Sequence, residues 1–309
     1  MKKLLIKLSI SFVLMWSVTA HALTHEGYVK VPGAELYYQT MGNGSPAIIL
    51  HGGPGLDCSY LLPQMGKISQ KYQAIFYDQR GSGKSVSTKL DAKYFNLNQF
   101  VEDLEQIRQT LGYDKVIIIG HSWGSLLGMA YAIKYPQHTR ALILMNSAPA
   151  TSAGQAAFAK EYEKRIKPIS RQLEMIVKSP GFIQGDPKIF DQFFRLVFKT
   201  YLYNVSDVNK LSLNFSATTA KNQTTIQTFF SKGLFEKNYN YTRKLNKLNI
   251  PTLVIHGDVD PVPLWTEKQT AAAIPNAKLI VIKKSGHFSF VENEKQVIDE
   301  INNFINGLN

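Results

Sequence analysis

Short apolar runs alternate with longer stretches of helical spacing along most of this chain. Residues 47–50, 74–77, 116–119 and 141–146 are almost unbroken apolar runs bounded by turn-forming or polar residues. Runs of that length and composition predict strands buried on both faces. Between the second and third, apolar residues fall at Leu97, Phe100, Val101, Leu104, Ile107 and Leu111. This period predicts a helix, with Asn96 or Asn98 as its cap and Gly112 as its stop. A second helix is predicted from Ser125 until Pro136 ends the helical stretch. Strands alternating with helices predict a parallel sheet covered on both faces. Upstream, residues 27–31 and 35–40 flank a Pro32-Gly33 turn and predict an antiparallel hairpin at one edge.

The alternation breaks at Ser147. As far as Asn249 the pattern predicts helices only, over 156–166, 171–177, 190–203 and 225–235. Strand-like runs return at 251–255 and 277–282, with helices expected over 264–273 and 294–305. The expected fold is α/β: a mostly parallel central sheet with helices on both faces and an inserted helical cap. The core takes 23–147 and 251–309, and the cap takes 148–250.

Charge and composition change this picture in three places. Met1-Lys2-Lys3, a largely apolar stretch to Val18 and Ala20-His21-Ala22 form the charged, apolar and cleavage regions of a secretory signal peptide. The expectation is removal of 1–22, with cleavage before Leu23, and export to the periplasm or beyond. The apolar stretch is short and holds Lys7, Ser9, Ser11 and Ser17, so no membrane insertion is expected after cleavage. The net charge of +12 falls to +9 without Lys2, Lys3 and Lys7, and residues 147–250 hold 16 Lys and Arg against 7 Asp and Glu. The excess therefore sits in the cap. No zinc-ligand spacing, basic helix or aromatic RNA-binding signature accompanies it, which argues against nucleic acid. The single cysteine, Cys58, allows no intrachain disulfide and is expected to be a packing residue.

Gly120-His121-Ser122-Trp123-Gly124 lies between a predicted strand and a predicted helix. A serine on so tight a turn needs small flanking residues, and the helix after it points its N-terminus at the site. The pattern resembles the nucleophile elbow of α/β-hydrolases. A serine hydroxyl needs a base to take its proton and a third group to orient that base. Asp258 and Asp260 follow the strand after the cap, and His287 follows the last strand. All these positions are C-terminal strand ends, which a parallel sheet brings to one edge. Ser122, Asp260 and His287 are the expected catalytic set. Asp260 is favoured over Asp258, which directly follows a glycine turn and can instead brace the loop. His121 points away from the serine, and His51, His256 and Glu292 are expected to hold loop backbone.

Acyl transfer also needs donors for a tetrahedral oxyanion. The Trp123 amide and, from the loop His51-Gly52-Gly53-Pro54-Gly55, the Gly53 amide are expected to supply them. Pro54 has no N–H to give. Asp78-Gln79-Arg80-Gly81-Ser82-Gly83-Lys84-Ser85 ends like a phosphate-binding loop, but its first position is Asp78 where that motif needs glycine. A rigid loop is expected instead, with Asp78 and Arg80 tied in a charge-assisted network. No metal or organic cofactor is implied.

Together the motifs at 51–55, 78–85 and 120–125 resemble those of the proline iminopeptidase family of α/β-hydrolases. The resemblance covers about 28–147 and 251–309 and is weak in the cap. It implies Ser122 as nucleophile, Asp260 as acid, His287 as base, and the Gly53 and Trp123 amides as oxyanion hole. It also implies removal of an N-terminal residue, often proline, from short peptides. His121, Ser82 and Lys84 depart from the usual residues. Family members bind the substrate amine with cap carboxylates, yet Glu161, Glu163, Glu174 and Glu236 are the only glutamates this cap offers. Relatives with the same core include esterases and lactonases acting on small esters. A non-catalytic binding protein on the same fold is the remote alternative.

Overall fold

The topology reverses direction at two central strands, and the site lies there. The computed structural model describes residues 23–308, and the leader read over 1–22 lies outside them. In chain order the strands are β1 (Leu23–Val31), β2 (Ala34–Met41), β3 (Pro46–Leu50), β4 (Gln73–Tyr77), the two-residue β5 (Val86–Ser87), β6 (Val116–His121), β7 (Thr139–Met145), β8 (Thr252–Gly257) and β9 (Ala277–Ile282). They form one sheet in the order β1-β2-β4-β3-β6-β7-β8-β9, with β5 beside β2. β1, β2 and β5 pair antiparallel, and the other six strands run parallel. The chain steps outward from β3 to β4, then crosses back to β6 on the other side of β3. In an open parallel sheet such a switch point leaves a crevice beyond the strand ends.

The predicted hairpin is present at the edge, with Val31 paired to Ala34 across the turn. The central strands are buried on both faces, and every residue of β6 is buried. Ile118 and Ile119 lie beside Ile48 and Ile49 of β3. Burying one such side chain contributes about 1.5–3 kcal/mol, so this register holds the centre of the sheet. The helix Leu97–Thr110 is capped by Asn96, whose side chain accepts from the Gln99 amide, and it stops at Gly112 with φ +77°.

Between β7 and β8 the longer elements are the helices Ser152–Ile166, Ser170–Val177, Pro187–Lys199 and Ala217–Phe230. Three differ from expectation by more than one residue. The first begins four residues early at Ser152, where Thr151 caps it by accepting from the Gly154 amide. The third begins three residues early because Asp186 caps it, accepting from the Lys188 amide, with Pro187 in the first turn. It also stops at Lys199 instead of residue 203. The fourth begins at Ala217, where Ser216 caps it by accepting from the Thr219 amide. Its expected last residues, Ser231–Phe235, widen into a π turn. Among the described residues, no helix is long and apolar enough to cross a membrane.

Candidate active site

β6 ends in the turn that carries Ser122, whose φ is +54°. A non-glycine residue there stores about 1–3 kcal/mol of strain, which neighbouring bonds must offset. The Ser122 N–H donates to the Met145 carbonyl, and the Ser122 carbonyl accepts from the Ser125 and Ala148 amides, each at 3.0 Å. The flanking glycines are required by contact. A Cβ on Gly120 would strike the Gly124 carbonyl oxygen, and one on Gly124 would strike that of Leu50. The helix Trp123–Lys134 can therefore sit directly over the strand ends only if both positions lack side chains.

His287 lies beyond β9, and its amide donates to the Tyr201 carbonyl at 2.8 Å. Its Nδ1 is 3.0 Å from both carboxylate oxygens of Asp260. Asp260 is buried and also accepts from Asn146 Nδ2 at 2.7 Å and from the Val262 amide at 2.7 Å. Burial alone would raise its pKa. The nearby His287 and His256 rings and the bonds from His287 and Asn146 outweigh that, holding the carboxyl well below its ordinary range. Asp258 lies apart from the histidine. It accepts from the Ser285 amide at 3.2 Å, with Lys283 at 3.8 Å, and so braces the loop.

Asn146 was missed by sequence reasoning. It follows β7 with φ +46°, donates to Asp260 and to the Gly286 carbonyl, and accepts from Ser289 Oγ at 2.6 Å. The available signal was a polar residue ending a buried strand, a position where asparagine tolerates positive φ. Glu292 accepts from the Gly286 and Asn204 amides, holding the His287 loop as expected.

Gly53 and Trp123 line one cavity of about 540 Å³ together with Ser122 and His287. The Gly52 N–H is occupied by Tyr60 Oη at 2.7 Å, so the next amide, Gly53's, is the one this loop can offer. Gly53 has φ +126°, a backbone shape that suits glycine. Trp123 opens its helix, where an N–H has no intrahelical acceptor.

The two other motifs support these loops. Gln79 donates from Nε2 to the His51 carbonyl and accepts from Trp123 Nε1 at 2.9 Å, while its backbone N–H donates to His51 Nε2. His51 thus holds loop backbone as expected. His256 meets the Val262 backbone, and its Nδ1 lies 3.8 Å from Asp260. Asp78 and Arg80 are not tied to each other. Arg80 forms a buried two-point pair with Asp103 at 2.6 and 2.8 Å, and Asp78 accepts from the Cys58 and Lys84 amides. The two side chains serve opposite neighbours, because Arg80 reaches the helix Leu97–Thr110 while Asp78 fastens its own loop to residue 58. Gly81 and Gly83 receive the helix Ala217–Phe230 through Asn222, Ser216 and Thr219. Cys58 is buried, and burial pushes its thiol pKa well up, as a packing residue requires.

The cavity walls are largely aromatic, and the glutamates of the helical segment lie elsewhere. Glu161 pairs with Arg165 at 2.9 Å, Glu174 with Lys178 at 2.5 Å, and Glu236 accepts from Ser231 Oγ. Glu163 is exposed.

The chain is similar to known proteins over most of its length. A family model described as alpha/beta hydrolase fold matches residues 46–294. A proline iminopeptidase of Heyndrickxia coagulans is 29% identical over 292 residues, covering 92% of this chain and 99% of its own. One from Pestalotiopsis fici is 30% identical, covering 89% and 97%. Among solved structures, proline iminopeptidase from Mycobacterium smegmatis superimposes with a TM-score of 0.70 at 20% identity, covering 92% and 98%.

Proposed function

Because this chain belongs to the proline iminopeptidase family of α/β-hydrolases, we propose that it is an exported serine hydrolase working through an acyl-enzyme on Ser122. Its reaction is release of an N-terminal residue, proline or another small one, from short peptides. The observation that carries the mechanism is the convergence of Ser122, His287, Gly53 and Trp123 on one cavity, with His287 oriented from behind by Asp260.

The Asp260 bonds occupy Nδ1 of His287 and leave Nε2 to act as the base. Nε2 takes the Ser122 proton as Oγ attacks the carbonyl carbon. Negative charge then develops on the carbonyl oxygen, where the Gly53 and Trp123 N–H groups can receive it. One such donor contributes roughly 3 kcal/mol in the transition state. Asp260 stays ionised and stabilises the imidazolium. Collapse expels the amine, which takes the proton from Nε2. Water, deprotonated by the same nitrogen, then attacks the acyl carbon, and the bond to Ser122 Oγ breaks as Nε2 returns that proton to the serine.

A second reading is a carboxylesterase, favoured by the largely aromatic cavity and the absence of a cap glutamate from its walls. The deciding experiment measures kcat/KM of the protein from Leu23 onward on Pro–arylamide, Ala–arylamide and p-nitrophenyl butyrate, beside Ser122→Ala. Arylamide turnover favouring proline and lost in Ser122→Ala supports the aminopeptidase. Ester turnover without arylamide turnover sinks it in favour of the esterase. Absence of any Ser122-dependent turnover in folded protein rejects both. Export is tested separately: the mature protein recovered from outside the cytoplasm should begin at Leu23.

A further inference from the structure

The walls of the cavity hold His121 and His287 but, among the described residues, no side chain of permanent charge: no Asp, Glu, Lys or Arg lines it. Phe158, Phe182, Phe194, Phe198 and Tyr201 are among the aromatic residues that line it. The polar exception lies mainly on the helix Ala217–Phe230. Gln223, Thr224, Gln227 and Thr228 recur at helical spacing and line the cavity together. Neither glutamine amide is engaged by another described residue. Gln223 packs directly on the Gly53 loop, since a Cβ on Gly55 would lie 3.2 Å from the Gln223 Cα.

Such a cavity treats an amine in a definite way. An ammonium group drawn in from water loses its hydration and meets no counter-charge, so its entry is disfavoured. A neutral amine loses far less. A glutamine oxygen can accept its N–H, and a glutamine N–H₂ can donate to its lone pair. Asp260, the carboxylate behind His287, is already committed to His287, Asn146 and Val262.

We propose that the cavity takes the acyl part of its substrate in uncharged form, as an apolar acyl group with a neutral amine or none, and that Gln223 and Gln227 set this selectivity. The proposal rests on the hydrolase reading above and holds for amide and ester substrates alike. A peptide N-terminus would enter as the free base.

The test uses the p-nitrophenyl esters of phenylalanine and of 3-phenylpropanoic acid, which differ only in the α-amine. Rates are normalised to each ester's alkaline hydrolysis. At pH 6 most of the amine ester is still an ammonium, although its ester group lowers the α-amine pKa about one unit below the ordinary N-terminal value of about 8, and the amine-free ester should show about tenfold higher kcat/KM. The gap should narrow as pH rises, because only the neutral fraction of the amine ester binds. Gln223→Glu or Gln227→Glu should shift the ratio at least tenfold toward the amine ester at pH 6. A preference for the charged amine ester in the parent protein, lost in Ser122→Ala, overturns the proposal and leaves the hydrolase standing. A ratio unmoved by both glutamate variants overturns the role of the two glutamines. Turnover that does not depend on Ser122 removes the hydrolase reading and this proposal with it.

Discussion

Tyr60 Oη lies 2.7 Å from His121 Nδ1 and accepts the Gly52 N–H at the same distance. With its lone pair taken by Gly52, the phenol donates its proton to Nδ1. His121 must then carry its own proton on Nε2, which donates to the His287 carbonyl at 2.9 Å. Burial, followed by the nearby His287, pushes the His121 pKa down to about 3, so the ring stays neutral. One chain of bonds therefore links the loop bearing Gly53 to the backbone of His287, through the elbow residue that precedes Ser122.

Tyr60→Phe keeps the ring and removes this link. It leaves the Gly52 N–H and His121 Nδ1 unpaired in a buried site, each at about 1–3 kcal/mol. Urea denaturation should show a loss in that range or above, and kcat on an ester substrate should fall roughly tenfold. An unchanged kcat in the folded variant would mean the link is structural only.

The two aspartates after β8 should separate cleanly. Asp260→Asn should lower kcat by about 10⁴-fold, since the histidine loses the partner that orients and charges it. Asp258→Asn should change kcat by less than about threefold and stability by about 1 kcal/mol, because it only braces the Ser285 amide. Reversal of these two results would move the catalytic acid to Asp258.

Glu267 is buried, and neither carboxylate oxygen has a hydrogen-bond partner among the described residues. Burial, then the Asp260 charge, pushes its pKa well up. Its contribution to stability is therefore full below the ordinary carboxylate range and is lost as pH rises toward the folded-state pKa. Each unit across that window costs about 1.4 kcal/mol. Asp260 has the opposite sign: its depressed pKa contributes stability that is lost only as pH falls below the ordinary range. Glu267→Gln should gain on the parent protein between pH 5 and pH 8, by more than about 1 kcal/mol in chemical denaturation. A pH-independent difference would contradict the shift.

Gly124→Ala should fail at the fold. Its methyl group would strike the Leu50 carbonyl, forcing the elbow helix away from β3. A cost of at least about 3 kcal/mol is expected, seen as a collapse in soluble yield or melting temperature. A stable, active variant would show that the helix has room to move.

The order of strands and helices was legible in the sequence because both faces of a central parallel sheet are dry. Residues 47–50, 74–77 and 116–119 had to be continuously apolar, and a period of that kind survives without knowledge of neighbours. The candidate site was legible for a related reason. Chain order and strand polarity alone bring Ser122, Asp260 and His287 to one edge. The exact ends of the cap helices were harder to read, since Asp186 and Ser216 act through single local bonds that periodicity does not register.

What only the tertiary structure decided are the contacts between loops distant in sequence. It gave Arg80 to Asp103 and brought Asn146 against the Asp260 carboxylate. The sequence could prefer Asp260 to Asp258 from the glycine turn before Asp258, but which neighbours a carboxylate meets across the sheet edge depends on loops far apart in the chain. The same holds for charge. The sequence alone established a basic, glutamate-poor insert, but helix packing decided that none of its charged side chains lines the cavity while Gln155, Gln223 and Gln227 do.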